Sequence, residues 1–190
     1  MFKALLISVL IAFTGVEAEK VNVDVNASTV QWVGKKVTGQ HNGSISLKGG
    51  RLEMEEGTLT GGLFTIDMAS LVCEDLSGDT KGKLEGHLKS DDFFGVKTYP
   101  TATFVITRAV PQGPGKYKVV GNITIKGTTE EIQFPATIEE KDGTYTATAN
   151  LVIDRSKFDV RYGSGSFFDN LGDKTIYDDF ELSVNLVTSK

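Results

Sequence analysis

One cysteine, Cys73, stands alone in a chain of 190 residues. No intramolecular disulfide can form, so the fold has to be held by its core. A chain this long can manage that, because it buries roughly 70% of its unfolded surface. A lone cysteine in an oxidising compartment is expected to act as a small buried hydrophobe. Histidine is almost as scarce, with only His41 and His87 present. His87 with Asp91 or Asp92 matches no standard metal spacing, so no metal site is read here. The chain has no G-x-S-x-G elbow, no glycine-rich phosphate loop and no H-E-x-x-H, which argues against the commonest enzyme signatures. A Ser-His-Asp triad assembled from distant positions would leave no such mark. Four prolines make no proline-rich linker. Lys+Arg number 20 against 25 Asp+Glu, for a net charge of -5 and a pI near 5.1. The basic excess of a nucleic-acid binder is therefore missing, and no nucleic-acid partner is expected.

No apolar run reaches the roughly 20 residues of a stable bilayer span. The first stretch has Lys3, an apolar segment from Ala4 to Phe13, and then Val16-Glu17-Ala18. A positive start, a short apolar core and small residues at the cut describe a secretory signal peptide. The expected organisation is a signal over 1–18 and one domain over 19–190, exported to the bacterial periplasm. A buried N-terminal helix is the alternative. No cysteine lies near the cut, so neither a cysteine-linked lipid nor any other stable membrane anchor is expected.

What the rest of the chain has in abundance is period-two alternation, the mark of half-buried strands. Ile132, Phe134, Ala136 and Ile138 alternate with polar neighbours, as do Tyr145, Ala147, Ala149, Leu151 and Ile153. Tyr117, Val119, Ile123 and Ile125 repeat the pattern, and so do Phe180, Leu182, Val184 and Leu186. Shorter runs lie at 21–25, 30–33, 45–47, 59–68 and 102–110. Turn chemistry separates them at Lys48-Gly49-Gly50, Gln112-Gly113-Pro114-Gly115, Lys126-Gly127-Thr128 and Lys141-Asp142-Gly143. Strands joined by such short turns pair with their neighbours and run antiparallel. The reading is all-β. A closed barrel and a two-sheet sandwich both satisfy it. One segment breaks the alternation: Leu84 and Leu88, four apart, suggest a short helix between Asp79 and Ser90 that covers one end.

The aromatic residues fall largely on the apolar faces, where they either fill a core or line a space. An eight-stranded barrel can be filled by side chains or can hold one small apolar ligand. Candidates for an apolar tunnel are Trp32, Phe64, Phe93, Phe94, Phe104, Ile106, Tyr117, Ile123, Phe134, Tyr145 and Ala149. Ala102, Ala147 and Gly121 would leave room beside them. Arg155, Lys157 and Arg161, ahead of Gly163-Ser164-Gly165-Ser166, read either as a solvated turn or as a positive rim for a head group. His87 joins that rim as a candidate.

Several segments together resemble a known family. Gly86-His87-Leu88-Lys89-Ser90-Asp91-Asp92-Phe93-Phe94, then Tyr99-Pro100, is similar to the signature of YceI-like proteins. Trp32 with Lys35, His41-Asn42-Gly43, 121–129, Asp154-Arg155-Ser156-Lys157-Phe158 and 176–182 follow in the family's order. Asp159 stands where many relatives carry glycine. The resemblance implies an exported, eight-stranded antiparallel lipocalin-like barrel with a helix cap near His87. It further implies a bound isoprenoid or other long-chain amphiphilic lipid, no other cofactor and no catalysis. The competing expectations are a filled barrel with a structural or interaction role, and an enzyme using His87 on a lipid or quinone precursor. A homodimer is compatible with either.

Overall fold

The computed structural model describes residues 18–189. The segment read as an export signal, apart from Ala18, lies outside the described residues. Nine strands run β1 Glu19–Asn22, β2 Thr29–Lys36, β3 Gly39–Glu55, β4 Thr58–Cys73, β5 Thr101–Gly113, β6 Lys116–Ile125, β7 Thr128–Lys141, β8 Thr144–Asp154 and β9 Ile176–Val187. One α-helix, α1 Gly78–Lys89, joins β4 to β5. It agrees with the helix expected from Leu84 and Leu88.

Strands β2 to β9 pair antiparallel in a ring, because β3 meets β4 on one side and β2 meets β9 on the other. The barrel alternative therefore holds over the sandwich: the sheet is closed and eight-stranded, with β1 as an addition. β1 lies along the same edge of β3 as β2, with Val21 opposite Leu52 and Val30 opposite Ile45. Between them, Asp24 accepts backbone hydrogen bonds from Asn26 and Ala27. That turn breaks what would be one long strand.

Three hairpins close on two-residue turns in which both central residues have positive φ: Glu56-Gly57, Lys126-Gly127 and Asp142-Gly143. Glycine second in each pair suits such turns, whose twist matches that of the strands. Lys48-Gly49-Gly50, read as a fourth turn, lies instead inside β3, where the register with β4 slips between Leu47 and Gly49. The glycines mark a bulge and a close approach, as interior strand glycines often do. A Cβ on Gly50 would stand 2.7 Å from the Phe64 ring. β4 likewise runs further than its alternation suggests, so Cys73 is its last residue rather than part of a loop.

Inward residues divide by height. Away from α1, Leu52, Met54, Leu59, Phe64 and Val119 belong to one buried cluster. The α1 end is held by Phe93, Val96, Ile153, Phe158 and Val160. Trp32 bridges β2 to the end of β4, donating from Nε1 to Val72 O (3.2 Å) and Ser44 O (3.3 Å). Gly43 makes that approach possible, since a Cβ there would lie 1.9 Å from Val72 O and 2.8 Å from the Trp32 ring. Gly43→Ala is therefore expected to cost about 1–3 kcal/mol as the strands part to accept it. Urea denaturation checks this; an unchanged midpoint would mean the strands already stand further apart.

Candidate functional site

Inside the barrel lie two connected apolar spaces. The larger, about 280 Å³, sits beneath α1, and the smaller, about 120 Å³, lies deeper. Val30, Ile66, Ile123 and Leu182 line both and form the waist between them. Alternation explains the character of this channel: every second residue of each strand faces inward, and those residues are overwhelmingly hydrocarbon.

The mouth opens at the α1 end, among Lys36, His41, Tyr177 and Asp179. Leu84 and Leu88 of α1 face the larger space, as their spacing requires. The helix itself buries no residue fully. It is tied to the barrel by the Glu85 carboxylate, which accepts the Cys73 N–H at 2.8 Å. The following turn sets Phe93 and Phe94 edge to face, 5.0 Å between ring centres, and both line the larger space.

The sequence candidates separate cleanly by position. Trp32, Phe93, Phe94 and Ile123 line the upper space; Phe64, Phe104, Ile106, Phe134 and Ala149 join Ile123 around the lower one. Phe104 sits between Phe64 and Phe134, with ring centres 6.4 and 5.5 Å away. Tyr117 is buried at the end away from α1, where its hydroxyl accepts the Leu59 N–H (3.3 Å). Tyr145 packs against that same end of the barrel. Neither borders the channel.

Of the rim candidates, Arg155 and His87 reach the upper space, whereas Lys157 is exposed outside it. Arg161 is also exposed, pairing with Asp159 and lying over the Phe167 ring. Arg155 is 2% exposed. It donates to the carbonyls of Val160 (2.7 Å), Tyr162 (3.0 Å), Ile176 (3.0 Å) and Tyr177 (3.2 Å) and stands 3.3 Å from Asp178. Burial lowers the pKa of its guanidinium, and Asp178 and Asp154 work against that fall. Two amides of the Gly-Ser run are occupied as well: Ser164 N–H donates to Arg161 O, and Ser166 N–H to Ser164 Oγ. Asp159 caps the turn below at φ 58, the left-handed region that glycine favours and aspartate tolerates.

His87 has a different environment. Its ring meets Tyr162 and Phe93 edge to face, at 4.3 and 5.7 Å, and its buried Nε2 has no hydrogen-bond partner. Leaving such an atom unmatched costs about 1–3 kcal/mol. It is the polar feature of the channel that a ligand group could satisfy.

Composition and spacing missed one further cluster beside the mouth. His41 at the start of β3, Cys73 at the end of β4 and Asp75 just beyond come together, with Asp75 in the middle. Its carboxylate lies 2.8 Å from His41 Nδ1 and 3.1 Å from Cys73 Sγ, and accepts the Asn42 N–H at 3.0 Å. Desolvation raises the Asp75 pKa, but the hydrogen bonds from Asn42, His41 and Cys73 outweigh it and hold the carboxyl well below the usual range. Burial, then the Asp75 contact, pushes the Cys73 thiol up. His41 lies 34 residues before Asp75 in sequence, across β3 and β4, so no local spacing could have joined it to Cys73 and Asp75.

With this geometry in view, comparison with known proteins is informative. Burkholderia cenocepacia BcnA has a crystal structure that superposes with a TM-score of 0.71 at 30% identity, covering 88% of this chain and 99% of that one. A polyisoprenoid binding domain from Saccharophagus degradans, implicated in plant cell wall breakdown, shares the fold at 13% identity and a TM-score of 0.64. It covers 88% of this chain and 97% of its own. A UPF0312 protein of Pseudomonas putida is 35% identical over 91 residues, 43% of this chain. The matched stretch spans 47% of that curated relative, under half of its length. The model of the YceI-like domain matches residues 21–188. The closed barrel with its helix-capped channel accordingly belongs to the YceI-like family.

Proposed function

We propose that this protein binds the chain of one long apolar or amphiphilic lipid in its barrel and sequesters or carries it in the periplasm without converting it. The observation that carries this reading is the hydrocarbon-lined interior of the barrel, larger beneath a lightly anchored helix and smaller further in. The filled-barrel alternative predicts no such space. A polyisoprenoid is the favoured class: a protein of the same fold is described as binding one, and a branched hydrocarbon suits a channel lined by Ile, Val, Leu and Phe. Burying about ten methylenes contributes roughly 8 kcal/mol before ordering costs. A micromolar complex requires about 8.2 kcal/mol net, so a longer chain leaves a surplus. The polar end would lie near His87, whose free Nε2 suits one hydrogen bond to a hydroxyl or carbonyl. Four of the five Arg155 N–H groups are taken by carbonyls and Asp178 stands beside the guanidinium, which favours a neutral terminus over a phosphate.

The test is to purify the protein from its native compartment without detergent, extract it with organic solvent and identify any lipid by mass spectrometry. We expect an isoprenoid or similar long-chain amphiphile at close to one per protein. A clean preparation that is empty, and that takes up no isoprenoid alcohol when offered one, would overturn the reading.

A further inference from the structure

The cluster of His41, Cys73 and Asp75 serves no step of the lipid reading and stands on its own observations. One donor atom from each residue lies within 4.8 Å of the other two. A hydrogen-bonded knot is a poor reason for that combination, since a thiol is a weak donor that serine would better. As a ligand set the three are well matched. Thiolate and imidazole select borderline-soft transition ions over magnesium or calcium, and a carboxylate completes a three-ligand set. We propose that His41, Cys73 and Asp75 bind one divalent transition-metal ion of the zinc type, with water in the fourth position.

The geometry is close to what this needs. Ligands about 2.0–2.3 Å from a tetrahedral ion lie roughly 3.3–3.6 Å from one another. The observed contacts of 2.8 and 3.1 Å to Asp75 open slightly, and the His41–Cys73 separation closes by about 1.5 Å at most. The His41 and Asp75 side chains are 32% and 29% exposed, so an ion arrives from solvent, while fully buried Cys73 forms the floor. As the metal–sulfur bond forms, the thiol releases its proton to water, and thiolate and carboxylate balance the charge of the ion. His41 coordinates through Nδ1, its proton moving to Nε2. The ion would then join the start of β3 and the end of β4 to the segment leading into α1, next to the Glu85 tie.

The full chain, reduced and freed of metal by chelation, should be titrated with Co²⁺ alone and then with Zn²⁺. We expect a thiolate-to-cobalt absorption band that saturates at one ion per chain and is abolished by Zn²⁺. Cys73→Ser should lose the band, and His41→Gln should weaken Zn²⁺ binding at least tenfold. No band in the wild-type protein, or a His41→Gln variant that binds Zn²⁺ as tightly as wild type, overturns the site. His41 is a partly exposed residue, so the second arm remains decisive even where Cys73→Ser folds poorly. Neither arm depends on a bound lipid.

Discussion

Arg155→Met should lose about 3–5 kcal/mol of folding stability, because a buried charge partner is removed and its counterparts stay behind. The guanidinium holds the connection from β8 to β9 by four backbone carbonyls at once. Without it those carbonyls lose their shared donor, and the Asp178 carboxylate keeps only the Ser166 hydroxyl, 2.6 Å from its Oδ2. The aromatic face of Phe93, 5.3 Å from the guanidinium carbon, loses its cation as well. Arg155→Lys should recover little, since an ammonium has neither the planar fork nor enough donors for that arrangement. Urea denaturation of the three proteins measures this. A loss below about 1 kcal/mol for the methionine variant would mean that the connection is held by its apolar packing instead.

The second large effect is expected on binding. Phe134 lines the lower space, on β7 beside Phe104. In Phe134→Glu the empty barrel can admit water around the carboxylate, so the fold should survive. An apolar chain entering that space would expel the water and leave an ion in hydrocarbon, at several kcal/mol. At about 1.4 kcal/mol per tenfold, affinity should fall a hundredfold or more. Phe134→Leu, which only changes shape, should stay within tenfold. Lipid recovered per protein after detergent-free purification distinguishes them. A glutamate variant that retains as much lipid as wild type would place the ligand outside the lower space.

The two faces of each strand were legible because alternation is a local property, and Phe104, Phe134 and Ile123 could be assigned inward from their neighbours alone. The closing pairs were not, since β2 against β9 involves residues far apart in sequence, and only the family resemblance separated barrel from sandwich. Gly49-Gly50 misled because glycine serves both turns and bulges, and the choice depended on Phe64, which lies opposite Gly50 on β4. Arg155 illustrates a different limit. Its charge suggested a ligand contact, yet the carbonyls that occupy it belong to backbone, which carries no letter in a sequence. His41, Cys73 and Asp75 escaped notice for the reason that hid the closing pairs: a hairpin between long strands brought distant residues together.

That closure has a consequence for how the molecule comes to exist. The ring is sealed by β2 lying along β9, with Trp32 opposite Leu182 and the Ser28 hydroxyl accepting the Val187 N–H. The earliest and latest barrel strands to be synthesised must meet before any of the hairpins between them is fully covered. Such long-range pairing slows folding, and it leaves a curved, open sheet with a bare apolar face in the interval. The channel does not exist in that open sheet. A lipid present at the moment of closure could be enclosed without ever passing the mouth, so the occupant of a newly made molecule and that of a mature one can differ in origin.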